Sequence, residues 1–239
     1  MSNGDSGNLE HIDLLADLPP EARLGVERRC RWRHYARGEH VLERDNENRD
    51  VFFVVSGAVR IVNHSLSGRE IAYANVRPGG YFGELSAIDG LPRSATVVAT
   101  EDCLLASISS GVFLELLEGN PGVGLKVLQR LTQVIRTCDD RIMDLSTLRA
   151  FKRVYVELLR LARPDPTAAD AWLVRPMPTQ TEIAGRAGTA RETVARVLGD
   201  LAHDGIVERK GRTLHLLYKQ ELERLVSAVD PDSDDEAAR

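Results

Sequence analysis

The chemistry-bearing residues of this chain fall into two clusters. The first is Tyr81-Phe82-Gly83-Glu84-Leu85-Ser86-Ala87-Ile88-Asp89-Gly90, followed by Leu91-Pro92-Arg93-Ser94-Ala95-Thr96-Val97. Gly83 lets backbone approach a ligand closely, and Glu84 to Ile88 reads as one short helical turn. The first N–H groups of such a turn lack partners and form an anion site. Arg93 adds a fixed charge and a planar donor fork that suit a phosphodiester, and Ser94 can donate another hydrogen bond. A carboxylate repels phosphate, so Glu84 calls for a different partner, and a ribose hydroxyl is a natural donor for it.

The second cluster spans Pro178 to Leu216. Thr179-Gln180-Thr181-Glu182 and Thr189-Ala190-Arg191-Glu192 each have the Thr-x-x-Glu pattern of a capping box, so each is expected to start a helix. Gly188 lies where the first helix must end and the chain turn. Val194, Val197, Leu198 and Leu201 share one face of the second helix, and Arg191, Glu192 and Arg196 fall on the other near its N-terminus. Such an end suits a major groove: Arg can make two hydrogen bonds to guanine, and Glu can accept from cytosine. Ile206 to Leu216 reads as a hairpin whose basic tip, Arg209-Lys210-Gly211-Arg212, would lie against phosphate.

Positioning these clusters requires two kinds of scaffold. Through residue 110, short β-branched runs near 51–55, 58–62, 71–76, 95–99 and 103–108 alternate with turn residues. They predict an antiparallel sandwich or roll, with a hairpin tip at His64 to Glu70. From Leu125 to Leu148 there is neither Gly nor Pro. Val127, Leu131, Val134, Cys138, Ile142 and Leu145 form an apolar stripe on a long helix, whose length favours a two-chain contact. A second helix, Arg149 to Ala162, is expected to stop at Arg163-Pro164-Asp165-Pro166, with a loop through Ala171. The expected segments are 1–118, 119–148, 149–220 and an acidic, partly disordered tail at 221–239.

Composition removes several classes. The chain has 239 residues and a net charge of −5. No apolar run approaches the roughly 18 residues of a membrane span. Cys30, Cys103 and Cys138 are too scattered for a disulfide framework, so a reducing cytoplasm is the expected compartment. Charge is uneven: residues 172–220 hold eight basic against five acidic residues, and 221–239 hold two against seven. A locally basic segment is what a polyanion partner needs.

Phe82-Gly83-Glu84-Leu85-Ser86 with Arg93-Ser94-Ala95-Thr96-Val97 resembles the phosphate-binding cassette of cyclic-nucleotide-binding domains. The likeness is to the catabolite-activator branch of the Crp/Fnr regulators. Arg191-Glu192-Thr193-Val194 with Arg196 resembles the recognition helix of the same family, except that Ala190 stands where the family has serine. The resemblance covers roughly residues 12–218. It implies an α+β fold: an N-terminal antiparallel β-roll, a long dimerisation helix and a C-terminal winged helix-turn-helix. It implies a cyclic nucleotide held by Phe82, Gly83, Glu84, Leu85, Ser86, Arg93, Ser94 and Ala95. In that arrangement Glu84 accepts from the 2′-hydroxyl, and Arg93 with Ser94 holds the phosphate. The family reads the base with a Thr-Ser pair on the long helix. Gapless alignment puts Cys138 and Asp139 there, so cAMP and cGMP both stay open. It further implies double-stranded DNA contacted by Thr179, Gln180, Arg191, Glu192, Thr193, Arg196 and Lys210 at palindromic TGTGA-like sites. A homodimer and RNA polymerase are the implied protein partners, and no metal is expected.

The rivals are a sensor of another kind, a nucleotide-cleaving enzyme and a ligand-independent DNA binder. An iron–sulfur sensor needs a cysteine cluster that these three residues do not supply. His34, His40 and His64 are the nameable haem ligands. An enzyme would need HExxH, a Walker loop or a His/Asp cluster, and none occurs, so no catalysis is expected.

Overall fold

The computed structural model describes residues 8–64, 70–168 and 171–228. The expected hairpin tip and the chain end beyond residue 228 lie outside them, apart from His64 and Glu70, which are in strands. The chain divides into two units, residues 1–137 and 138–239. The boundary falls inside the long helix.

The first unit opens with a short 3-10 turn, Asp13–Leu15, and helix α1 (Pro20–Glu27). Eight strands follow: β1 (Arg31–Tyr35), β2 (His40–Leu42), β3 (Val51–Ser56), β4 (Val59–His64), β5 (Glu70–Val76), β6 (Tyr81–Phe82), and, after the short helix α2 (Glu84–Asp89), β7 (Thr96–Ala99) and β8 (Cys103–Ile108). Helix α3 (Ser110–Gly119) and the 27-residue helix α4 (Pro121–Thr147) come next. The strands make two four-stranded sheets, ordered β1-β8-β3-β6 and β2-β7-β4-β5, in which every pairing is antiparallel. This is the expected antiparallel roll.

The run Val51-Phe52-Phe53-Val54 is continuous because β3 is buried on both faces. Phe52 and Val54 pack between the sheets with Leu42, Val59, Val97 and Leu105. Val51 and Phe53 face outward, yet they are covered by Leu9, Leu15, Phe113, Val123 and Val127. Period-2 alternation disappears when both faces are dry. β1 carries too many polar residues, and β2 has only three residues, so the hydrophobic pattern does not reveal them. Pairing with β8 and β7 makes them strands.

Val123 and Val127 of α4 belong to this outer core, and Leu131 packs against it. Val127 is therefore a core residue rather than part of an exposed stripe. The open seam is displaced by one residue: Leu128, Ile135 and Ile142 are 62, 61 and 61% exposed. Leu131, Cys138 and Leu145 each follow them by three residues. Apolar residues at alternating steps of three and four are the a/d pattern of a coiled coil.

In the second unit, α5 (Ala150–Leu161) is followed by β9 (Arg163–Pro164), β10 (Trp172–Val174), α6 (Gln180–Ala187), α7 (Arg191–His203), β11 (Val207–Lys210), β12 (Thr213–Leu216) and α8 (Lys219–Ser227). The sheet order is β11-β12-β10-β9. Val154, Leu158, Ile183, Val194, Val197, Leu201, Leu214 and Leu222 share its core. Arg163 to Ala171, expected as loop, begins with an edge strand, a place where proline is tolerated. Residues 221–227, expected within a tail, are helical. Leu222 is fully buried, and Lys152 donates to the carbonyl of Ala228. The acidic composition of residues 230–239 had masked one short amphipathic turn pattern ahead of it.

Leu222→Ala should destabilise the chain by about 2–5 kcal/mol, the usual cost of emptying a buried leucine site. Chemical denaturation checks this; a change under 0.5 kcal/mol would show that α8 is not part of the core.

Candidate functional site

The phosphate-sized cluster is assembled by β6, α2 and the segment before β7. Gly83 adopts φ 89° and is the N-cap of α2. A Cβ at this position would lie 2.7 Å from Arg93 Nη1 and 2.8 Å from the Asp50 carbonyl oxygen. Glycine is therefore required both by backbone conformation and by space. α2 ends on a second left-handed glycine, Gly90.

Arg93 is only 3% exposed. Its Nη1 donates to the Gly83 carbonyl at 2.9 Å. Its Nη2 donates to Asn48 Oδ1 at 2.7 Å and to the Asp50 carbonyl at 2.5 Å. The backbone is clamped as well, with Arg93 N–H donating to Asn46 O and Asp45 N–H donating to Arg93 O, both at 2.9 Å. Nε–H is buried without a partner. Burial pushes the guanidinium below its ordinary pKa, while the carboxylates of Asp50 and Glu84 work against that push. Asp50 is itself held by Arg31. An arginine remains protonated under these conditions. The result is a fixed, dry cation whose Nε–H is unused.

Glu84, 8% exposed, is the first residue of α2. Ser86 is buried, and its hydroxyl lies 3.4 Å from the Pro92 carbonyl, closing α2 onto the segment that carries Arg93. Phe82 is buried in the inter-sheet core and stacks on Phe52 with ring centroids 5.1 Å apart. Its place is beneath the cluster. Leu85 and Ser94 are exposed and Ala95 half-buried. Asn63, which the motif reading missed, donates from Nδ2 to the Ser94 carbonyl at 3.0 Å. An isolated asparagine in a strand pattern carries no signal from sequence alone. Cys138 and Asp139 are exposed on α4, at the start of the second unit.

In the second unit, Thr179 caps α6 in a full capping box with Glu182. Gly188 ends that helix in the left-handed conformation, φ 61°. The second expected box does not form. Ala190 is the N-cap of α7 and makes no side-chain cap, and Thr189 is buried one residue earlier. The tight turn draws Thr189 inward, so Glu192 falls too early to reach back. Arg191, Glu192 and Arg196 are exposed on α7, Thr193 is half-buried, and Gln180 opens α6. β11 and β12 form the hairpin with Gly211 at its tip. Lys210 is exposed and pairs with Glu208 at 2.8 Å. Among the described residues no helix is long and apolar enough to cross a membrane, and no three metal-ligating side chains cluster.

A helix-turn-helix with a basic hairpin, encoded downstream of an antiparallel roll with a buried arginine cassette, defines a DNA-binding regulator that carries a small-molecule-binding type of domain. Comparison with known proteins gives the family. Residues 32–120 match the Cyclic nucleotide-binding domain family, and 152–225 match the Crp-like helix-turn-helix domain. The chain is 34% identical over 175 residues to the Cyclic AMP receptor protein of Thermus thermophilus, covering 73% of this chain and 78% of that protein. It is 26% identical over 217 residues to the CRP-like cAMP-activated global transcriptional regulator of Mycobacterium tuberculosis, covering 90% and 97%. Its fold matches a CooA mutant from Carboxydothermus hydrogenoformans with TM-score 0.76 and 24% identity, covering 94% and 98%. The chain belongs to the Crp/Fnr family of transcription regulators, which bind DNA and are not enzymes.

Gly83→Ala should weaken anion binding at the roll at least tenfold, because the added carbon strains a left-handed residue and displaces Arg93. Titration with a cyclic nucleotide checks this; unchanged affinity would mean that the cradle does not meet the ligand.

Proposed function

We propose that this chain is a cyclic-nucleotide-responsive transcriptional regulator acting as a homodimer. The observation that carries the reading is Arg93, a buried cation with an unpartnered Nε–H, set beside the N-terminus of α2 and Glu84. An uncompensated buried donor costs about 1–3 kcal/mol, which a phosphate oxygen would recover. In this reading the cyclic phosphate lies against Arg93, Ser94, Ala95 and the first N–H groups of α2. Glu84 accepts from the ribose 2′-hydroxyl, and Gly83, Leu85 and Ser86 line the ribose-phosphate. Phe82 supports the cradle from below. The family's base-contact positions correspond to Cys138 and Asp139.

The seam Leu128, Leu131, Ile135, Cys138, Ile142 and Leu145 meets its counterpart in a second copy. Arg191, Glu192, Thr193 and Arg196 of each copy enter a major groove at a TGTGA-like half-site. Thr179, Gln180 and Lys210 contact the phosphate backbone. Nucleotide changes DNA affinity only to the extent that it binds the DNA-competent arrangement more tightly, and operator DNA must tighten nucleotide binding by the same factor. A ligand-independent regulator is the second reading, favoured by the three hydrogen bonds that already hold Arg93 within the protein. It requires equal operator affinity with and without nucleotide.

Arg93→Ala should abolish binding of cAMP and cGMP in titration calorimetry while the far-ultraviolet dichroism stays unchanged; retained affinity would refute the assignment. Ile135→Asp should convert dimer to monomer in analytical ultracentrifugation, since it puts a charge at the seam's centre. Arg196→Ala should cost about 1–3 kcal/mol on an operator if it pairs with guanine. Equal losses on operator and random DNA would make it a phosphate contact.

A further inference from the structure

We infer that a cavity on the far side of β6 from the cassette binds a small organic carboxylic acid through Arg130 and Tyr81. Its volume is about 420 Å³, which suits a small-molecule ligand. Asp13, Leu14, Gly80, Tyr81, Lys126 and Arg130 line it. β6 is only two residues long. Phe82 turns into the inter-sheet core beneath the cassette, and Tyr81 turns into the outer core. The cavity therefore backs onto the strand that leads to Gly83, on the face opposite the cassette.

Two groups in this lining lack the partners their chemistry calls for. Tyr81 is 5% exposed, and its hydroxyl is buried without a hydrogen-bond partner. Burial pushes the phenol above its ordinary pKa, so it keeps its proton and needs an acceptor. Arg130 cannot be that acceptor, because a guanidinium only donates. It lies over the Tyr81 ring, with its central carbon 4.0 Å from the ring centroid. Among the described residues no carboxylate pairs with it. Lys126 is already committed, since it pairs with Asp17 at 2.7 Å and donates to the Asp13 carbonyl at 3.0 Å.

One functional group meets both needs. A carboxylate accepts from a guanidinium and from a phenol, and the two donors here are neighbours. Asp13 sets one negative charge against the two cations of the lining, which leaves a single positive charge. A monoanion balances it, whereas the second charge of inorganic phosphate would be repelled by Asp13. Leu14, the Tyr81 ring and the Cα of Gly80 give the body of the ligand an apolar wall. Arg130 lies two residues beyond Leu128, about 200° round the helix, so the cavity is turned away from the exposed seam of α4.

The test is an NMR titration of the full chain with hexanoate, its neutral counterpart hexanamide, and inorganic phosphate. Nucleotide is left out, so the result does not depend on the cyclic-nucleotide reading, and either can fail without the other. Wild type should bind hexanoate saturably and at least tenfold more tightly than hexanamide. Arg130→Gln should lower the affinity for hexanoate to that for the amide. Tyr81→Phe, which deletes only the hydroxyl oxygen, should weaken hexanoate roughly fivefold, and it carries the test if the Arg130 variant fails to fold. Absence of saturable hexanoate binding overturns the inference, as does equal affinity for acid and amide. So does displacement of hexanoate by an equal concentration of phosphate, or hexanoate affinity unchanged by the substitutions.

Discussion

Removing a guanidinium from water is costly unless hydrogen bonds replace the lost hydration. In the first unit that replacement is made mainly by uncharged acceptors. Two are backbone carbonyls, of Gly83 and Asp50, and one is the Asn48 amide. The nearby carboxylates Asp50 and Glu84 oppose the effect of burial from a distance. A direct bidentate carboxylate would have neutralised Arg93 and left nothing for an incoming anion. Polar but uncharged support keeps the cation whole. The loop from Arg44 to Asp50, the glycine before α2 and the two-residue strand β6 all serve to hold those acceptors.

The roll beneath gives that arrangement its rigidity. β3 is dry on both faces, so Asp50, immediately before it, is fixed by packing on either side. β8, wholly buried, pairs with β3 over most of its length. A loop anchored in this way can present carbonyls at hydrogen-bonding distance without a ligand to order it. The second unit has its own core, built from four helices and a small sheet, and holds α7 with its arginines outward.

Much of this was legible because the relevant constraints are local. Thr179 and Glu182 are three residues apart, and the capping box they predict forms. Gly188 was recognisable as a turn position and Gly83 as a point of close backbone approach, and both are left-handed. Long-range partnerships were less accessible. Asn48 and Asn63 lie 45 and 31 residues from the groups they bond in the cassette, and nothing in their neighbourhoods announces them. Thr189 and Glu192 met the capping pattern, yet burial of Thr189 won over the cap. Val127 fitted the seam by spacing, but the outer core claimed it. In each case tertiary packing overrode a local preference.

The conformation of Gly83 also sets how easily the Arg93 cradle can be lost. Only glycine combines φ 89° with an approach that leaves no room for a methyl group. A single-base change in that codon would disable the cradle while sparing the three hydrophobic cores and α7. Recovering the cradle would then depend on the exact reversal, since no other residue tolerates both that conformation and that approach.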